Sequence, residues 1–226
     1  MRKHSRSLLV GISALAAFTT LPACTNSQTP EASAAAPFPQ SARYMADMTA
    51  GDGKTMTIGI SVDGAEVAAY ACNGTDDEAW FFGSQTDGAV DLTSRFRDTL
   101  DAEFDGTNVT GDVVMNGTEY TFTAASVTGN AGMYTAESDG VRASWVVRPD
   151  RSAVGVQFSG FADEDGKIDV SDLDALSDSE VRDDVRNKRK LSAAGPIEFP
   201  PGTNPRATIN GVSVTPTLVT GTFRLP

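Results

Sequence analysis

Side chains suited to nucleophilic or metal chemistry are scarce in this sequence, which has one histidine, His4, and two cysteines, Cys24 and Cys72. His4 sits among Arg2, Lys3 and Arg6, ahead of a stretch, Leu8 to Leu21, with no charged side chain. A basic start followed by a short apolar run is the pattern of a secretion signal, and the run is short for a membrane span. Removal of that signal after Ala23 takes the imidazole with it. Ser-His-Asp and Cys-His catalysis, and histidine-based zinc or copper sites, are then excluded. Cys72 has no base beside it in sequence to lower its pKa, so it reads as a small hydrophobe rather than a nucleophile. Paired carboxylates are the remaining option. Asp101 and Glu103 share one strand face, as a glycosidase would use, but a chain with 30 acidic residues forms such pairs by chance. The reading is of a protein without enzymatic activity, with a carboxylate-based hydrolase as an alternative.

The apolar run closes on Leu21-Pro22-Ala23-Cys24, which resembles the lipobox of bacterial lipoproteins: a Leu three residues before the cysteine and a small residue just before it. The resemblance implies that residues 1–23 are cut away and that Cys24 becomes a lipidated N-terminus on the outer face of the cytoplasmic membrane, within the cell envelope. An ordinary secretory signal cut after Ala23 would instead leave a free Cys24 thiol. With Cys24 acylated, Cys72 has no partner and no disulfide framework is possible. Taking Arg2, Lys3 and Arg6 from the 18 basic residues leaves 15 against 30 acids, a net −15. That balance argues against nucleic acid and against adhesion to anionic lipid, so membrane attachment falls to acyl chains at about 0.8 kcal/mol per buried methylene. Residues 24–43 are rich in Ala, Ser, Thr and Pro and read as a disordered tether spanning on the order of 25 Å. Residues 44–226 then form a single β-rich domain.

One acidic run has metal-ligand spacing. Asp163, Asp165, Asp169 and Asp172 surround Gly166 and Ile168 in a spacing similar to the calcium loop of EF-hands and dockerin repeats. Phe161 stands where that loop begins with a carboxylate, and no entering helix precedes it. The run is therefore expected to be an acidic turn leading into a helix, with no metal and no other cofactor. The basic run Arg186-Asn187-Lys188-Arg189-Lys190 is expected to be a solvated helix end that complements the helix dipole. Trp80, Phe81 and Trp145 are the candidates for a ligand or partner surface, whether that partner is a protein, an envelope polymer or an apolar ligand. Consecutive strand residues face opposite ways, so Phe81 should point away from Trp80 and Phe82.

The elements that must position these residues are strands. From Lys54 to Gly160 apolar residues alternate: Met56, Ile58, Ile60 and Val62; Tyr120, Phe122 and Ala124; Val141, Ala143, Trp145 and Val147; Val154, Val156 and Phe158. Asp-Gly and Asn-Gly pairs at 63–64, 73–74, 87–88, 105–106, 116–117 and 139–140 mark tight turns. The pattern predicts an antiparallel meander closing into a barrel or strongly curled sheet, with Met56, Tyr120, Trp145 and Phe158 on one continuous apolar face. A helix over about 171–194 is predicted from the Ser177/Glu180 capping box, from Val181 and Val185 on one face, and from Gly195-Pro196 as a stop. Ala207–Thr215 and Thr217–Arg224 alternate again, predicting a C-terminal hairpin that completes the sheet.

The segments SVDGAEVAAYACNG (Ser61–Gly74) and GMYTAESDGVRASWVVRPDRSAVGVQ (Gly132–Gln157), with the Trp80 strand, resemble an uncharacterised β-rich domain of secreted proteins and lipoprotein precursors from mycobacteria and related actinobacteria. The resemblance covers about half the chain and implies an envelope location without implying an activity. A non-enzymatic, envelope-associated binding lipoprotein is the resulting expectation, with a carrier of a small apolar ligand inside the barrel as the alternative.

Overall fold

The structure, a computed structural model, describes residues 36–162, 173 and 175–226. The expected secretion signal, Cys24 and the acidic run Asp163, Asp165, Asp169 and Asp172 lie outside the described residues. Two four-stranded meanders make one sheet. β1 (Ser41–Thr49), β2 (Thr55–Asp63), β3 (Glu66–Cys72) and β4 (Glu78–Ser84) form the first. β5 (Ala89–Thr93), β6 (Thr99–Phe104), β7 (Val109–Met115) and β8 (Thr118–Ser126) form the second. β1 pairs with β8, giving the antiparallel order β4-β3-β2-β1-β8-β7-β6-β5. The two outer strands come side by side: a Cβ on Gly83 of β4 would lie 2.4 Å from Leu92 Cδ2 of β5. The sheet is thus a nearly closed barrel, as the alternation predicts. The Asn116-Gly117 and Asp139-Gly140 pairs put both turn residues at positive φ (48° and 76°; 51° and 75°), the conformation that two-residue hairpins require.

Alternate residues of every barrel strand point inward and fill the interior: Ile58, Ile60, Val67, Phe81, Leu100, Val113 and Phe122 are among them. Their outward neighbours divide into two kinds. On β5 and β6 they are Asp91, Thr93, Asp101 and Glu103, all exposed. On β2 and β3 they are Thr57, Gly59, Ser61, Ala68, Tyr70 and Cys72, all buried. That small-residue face is covered by a second sheet of β9 (Gly132–Ser138), β10 (Val141–Val147), β11 (Ala153–Phe161), β12 (Arg189–Ala193) and the two-residue β15 (Thr217–Leu218), in the order β12-β11-β10-β9-β15. The approach is close, since a Cβ on Gly59 would come within 2.5 Å of Met133 Cγ. Met133, Val146, Val156 and Val219 pack there against Met45, Ala68, Tyr70 and Cys72. The far face of the second sheet holds Tyr134, Ala143, Trp145 and Val147 beneath the hairpin of β13 (Ala207–Ile209) and β14 (Val212–Val214).

Four expectations are corrected. The domain reaches back into the segment assigned to the tether: β1 starts at Ser41, the Ala36 N–H donates to Phe104 O at 3.2 Å, and Phe38 stacks on Phe104 at 5.1 Å. An aromatic flanked by two prolines supplies enough burial to pin residues that composition alone makes a linker. The helix expected over 171–194 is instead one α-turn (Asp178–Glu180), a π-turn (Val181–Val185) and a 3-10 turn (Arg186–Lys188). Arg189 to Ala193 then pair with β11, so tertiary pairing along a strand edge overrides the good helix propensity of Arg, Lys, Leu and Ala. The Ser177–Glu180 capping box is present, and Val181 and Val185 are buried as expected. The C-terminal hairpin is a two-stranded sheet of its own rather than the end of the barrel, and only Thr217–Leu218 extend a larger sheet. Lastly, Trp145 does not share a face with Met56 and Tyr120, which lie inside the barrel.

Candidate functional site

Trp80, Phe81 and Trp145 occupy three different environments. Phe81 points into the barrel and is fully buried, opposite to Trp80 and Phe82 as strand geometry requires. Trp145 is buried on the far side of the second sheet, with its Nε1 donating to Gly195 O at 2.8 Å. Trp80 alone lines an open groove, of about 480 Å³, where the barrel edge meets the edge of the second sheet. A volume of that size falls in the range of small-molecule sites. The reading of the three aromatics as one surface is therefore replaced by Trp80 with residues that spacing does not connect. With the barrel interior filled by side chains, a carrier cavity inside it is also set aside.

The groove is built from both sheets. β4 contributes Glu78, Trp80 and Phe82, the β5–β6 turn contributes Arg95 and Phe96, β10 and β11 contribute Arg142, Phe158 and Phe161, β12 contributes Arg189, and the C-terminal segment contributes Arg224. Trp80 packs on Tyr70, its cross-strand partner, at 4.5 Å and stacks on Phe82 at 5.6 Å. Phe161 meets Phe96 at 6.3 Å and Phe158 at 5.4 Å. Three guanidinium groups lie over these rings: Arg142 on Phe158 (5.1 Å), Arg189 on Phe96 (4.6 Å) and Arg224 on Phe82 (5.5 Å). Cations over aromatic faces gain from the ring quadrupole. Such a wall offers flat apolar surfaces framed by hydrogen-bond donors.

Ion pairs hold the frame. Glu78, only 2% exposed, accepts from Tyr70 Oη at 2.9 Å and from Arg142 Nη2. Arg189 donates through Nη1 to Glu78 O at 2.7 Å and through Nη2 to Asp77 at 3.3 Å. Arg186 is buried and is held by Asp77 (2.6 Å) and Asp98 (3.1 Å). Asp98 also accepts from the Ser94 hydroxyl and from the Asn116 N–H. The expectation of a solvated basic helix end is thus overturned at Arg186 and Arg189, while Asn187, Lys188 and Lys190 are solvent-facing or partly so. Burial raises the Asp77 carboxyl above the usual aspartate value despite the two facing guanidiniums, and burial followed by the Arg186 charge draws Arg189 below the usual arginine value.

The other candidates lie elsewhere. Asp101 and Glu103 sit on the exposed barrel face, with Asp101 flanked across the strands by Asp91 and Asp112; they do not line the groove. A second, polar groove of about 560 Å³ near the β7–β8 turn is lined by Lys54, Asn73, Asp76, Asn116 and Tyr120. There the Asn73 side chain is engaged by the Thr75, Asp76 and Asp77 N–H groups of its own turn. Cys72 is fully buried, and burial pushes its thiol up to about 12. In the C24A chain, where Cys72 is the sole thiol, an aromatic disulfide reagent at pH 8 should react only at the rate of opening or unfolding and fully in denaturant. Prompt labelling of the folded chain would contradict the buried assignment.

The architecture defines a class: a filled, nearly closed antiparallel barrel with a second sheet packed on one flank and an aromatic, arginine-framed groove at their junction. Comparison with protein-family models, with curated proteins and with solved structures finds no match to this chain.

Proposed function

We propose that the protein is a non-enzymatic, lipid-anchored binding protein of the cell envelope, held by acyl chains on Cys24, and that the Trp80 groove is its binding site. The observation that carries the binding role is the groove itself. Trp80 and the half-buried Phe82, Phe96, Phe158 and Phe161 are grouped around one opening, and such grouping marks a recognition surface. The lipobox Leu21-Pro22-Ala23-Cys24 and the charge-free run before it support the anchor. Asp101 and Glu103 line neither of the two grooves, which favours binding over hydrolysis by that pair.

Two measurements test this reading. Wild-type chain labelled metabolically with a fatty acid should partition into detergent, and C24A should carry no label and remain in the aqueous phase. Native mass spectrometry of the C24A chain purified from its own host should show a bound mass that W80A no longer retains. A wild type without label removes the anchor, and a mass retained equally by W80A places the ligand elsewhere.

A further inference from the structure

We propose that the groove binds a single-chain amphiphile with an anionic head, its apolar body lying on Trp80, Phe82 and Phe158 and its head meeting Arg95. This rests on the groove being the binding site and names the chemistry of what it takes. The first argument is charge. Among the described residues the groove wall carries four arginines, Arg95, Arg142, Arg189 and Arg224, against two side-chain carboxylates, Glu78 and Glu137, in a chain whose formal net charge is −12. A local excess of cations on an acidic protein focuses attraction for an anion at that point and disfavours cationic ligands.

The second argument is which donors are free. Arg142 is engaged by Glu78, Arg189 by Asp77 and the Glu78 carbonyl, and Arg224 by Glu66. Arg95 is exposed and makes no ion pair among the described residues. Within the wall, the Trp80 Nε1 and Arg142 Nε hydrogens also find no acceptor among the described residues, although Trp80 is only 7% exposed. Indole and guanidinium nitrogens only donate. Among the groove's buried side-chain atoms the unmet hydrogen-bonding capacity is thus all donor, which a carboxylate or phosphate satisfies and an amine does not. The third argument is shape: an aromatic wall about 480 Å³ in extent suits an apolar chain rather than a bare inorganic anion.

The test uses the C24A chain and heavy-atom quenching. The chain has two tryptophans. One is in the groove and the other is buried beneath the C-terminal hairpin. Terminally brominated undecanoate and undecyl phosphate should quench emission saturably, and W80F should abolish the quench. Brominated undecanol should bind at least about tenfold more weakly, and Arg95→Ala should weaken undecanoate by about the same factor, as loss of a charge-assisted hydrogen bond implies. Arg95 is a surface residue, so its replacement leaves the fold intact. If undecanol binds as tightly as undecanoate and Arg95→Ala changes nothing, the anionic-head proposal fails while the groove remains a binding site. If none of the three probes quenches Trp80, the amphiphile proposal fails; a bound mass in native spectra that W80A loses would then keep the groove as a site for a different ligand, and its absence would remove both readings.

Discussion

Replacing Trp145 with alanine is expected to remove about 3–5 kcal/mol from the folding free energy, a large share of a typical total of about 5–15 kcal/mol. The indole is 1% exposed and is enclosed by Ala143, Val147, Ile197, Ala207 and Ile209. The neighbouring strand leaves it space: Gly155 stands directly opposite in the register, and a Cβ there would come within 2.6 Å of Trp145 Cδ1. The indole N–H donates to the Gly195 carbonyl, so truncation also strips a partner from that oxygen. Because the C-terminal hairpin rests on this ring, the variant should lose its protection from proteolysis at residues 195–215 before the barrel opens. Trp145→Phe, which keeps most of the buried area, should recover more than half of the loss. Denaturant unfolding with an unchanged midpoint for Trp145→Ala would show that the ring does not hold the hairpin in place.

Trp145 also shows how far alternation can be read. Period-two spacing correctly placed Val141, Ala143, Trp145 and Val147 on one face of a strand, and the turn pairs correctly separated most strands. Alternation assigns residues to faces but does not say which face of which sheet. The barrel interior and the hairpin-covered side of β10 carry the same pattern, so alternation groups Trp145 with Met56 although the two are in different layers. A signal for the second layer was present. The outward positions of β2 and β3 are Thr57, Gly59, Ser61, Ala68, Tyr70 and Cys72, where a solvated face would carry the Asp, Glu and Thr found on β5 and β6. Uncharged, mostly small or apolar residues on both faces of a strand mean that both faces are covered.

The groove was less legible than the fold, for a physical reason. Its members come from β4, the β5–β6 turn, β10, β11, β12 and the C-terminal segment, and no spacing rule links residues so far apart in sequence. Trp80 is legible as a surface candidate because consecutive aromatics cannot all face one side of a strand, which leaves at least one for a second interface. The arginines carry no such signal. Arg142 reads as a strand residue on a polar face, and Arg186 and Arg189 sit in a basic run whose ordinary role is a solvated helix end. Only the fold reveals that Arg186 and Arg189 turn inward to meet Asp77, Asp98 and the Glu78 backbone. Composition hints at this only weakly, since acids in excess make a buried arginine easy to partner.

That buried cluster carries the second large effect. Arg186→Leu should destabilise the chain by about 3–5 kcal/mol, because it leaves buried carboxylates without their cation. Asp98 is 2% exposed, and its remaining donors, the Ser94 hydroxyl and the Asn116 N–H, carry no full charge. Asp77 would keep only Arg189, and its carboxyl is already raised by burial in the wild type. Loss of Arg186 removes one of the two guanidiniums that hold the Asp77 carboxyl down against burial, so its folded-state pKa rises further. A carboxyl with a folded pKa above its unfolded value favours the folded state below the unfolded pKa and loses that advantage as pH rises through the folded pKa. The deficit of Arg186→Leu should therefore be greatest near neutrality and shrink as pH falls toward about 4, as the Asp77 carboxyl takes up its proton. Because the cluster is buried, added salt should change the deficit little. Combining Arg186→Leu with Asp98→Leu should return part of the loss, since an apolar pair avoids the unpaired charge. Denaturant unfolding of the two variants at pH 7 and pH 5 decides the matter. A single variant as stable as the wild type at pH 7, or a deficit that grows on acidification, would mean that Arg186 is not the charge that balances Asp77 and Asp98.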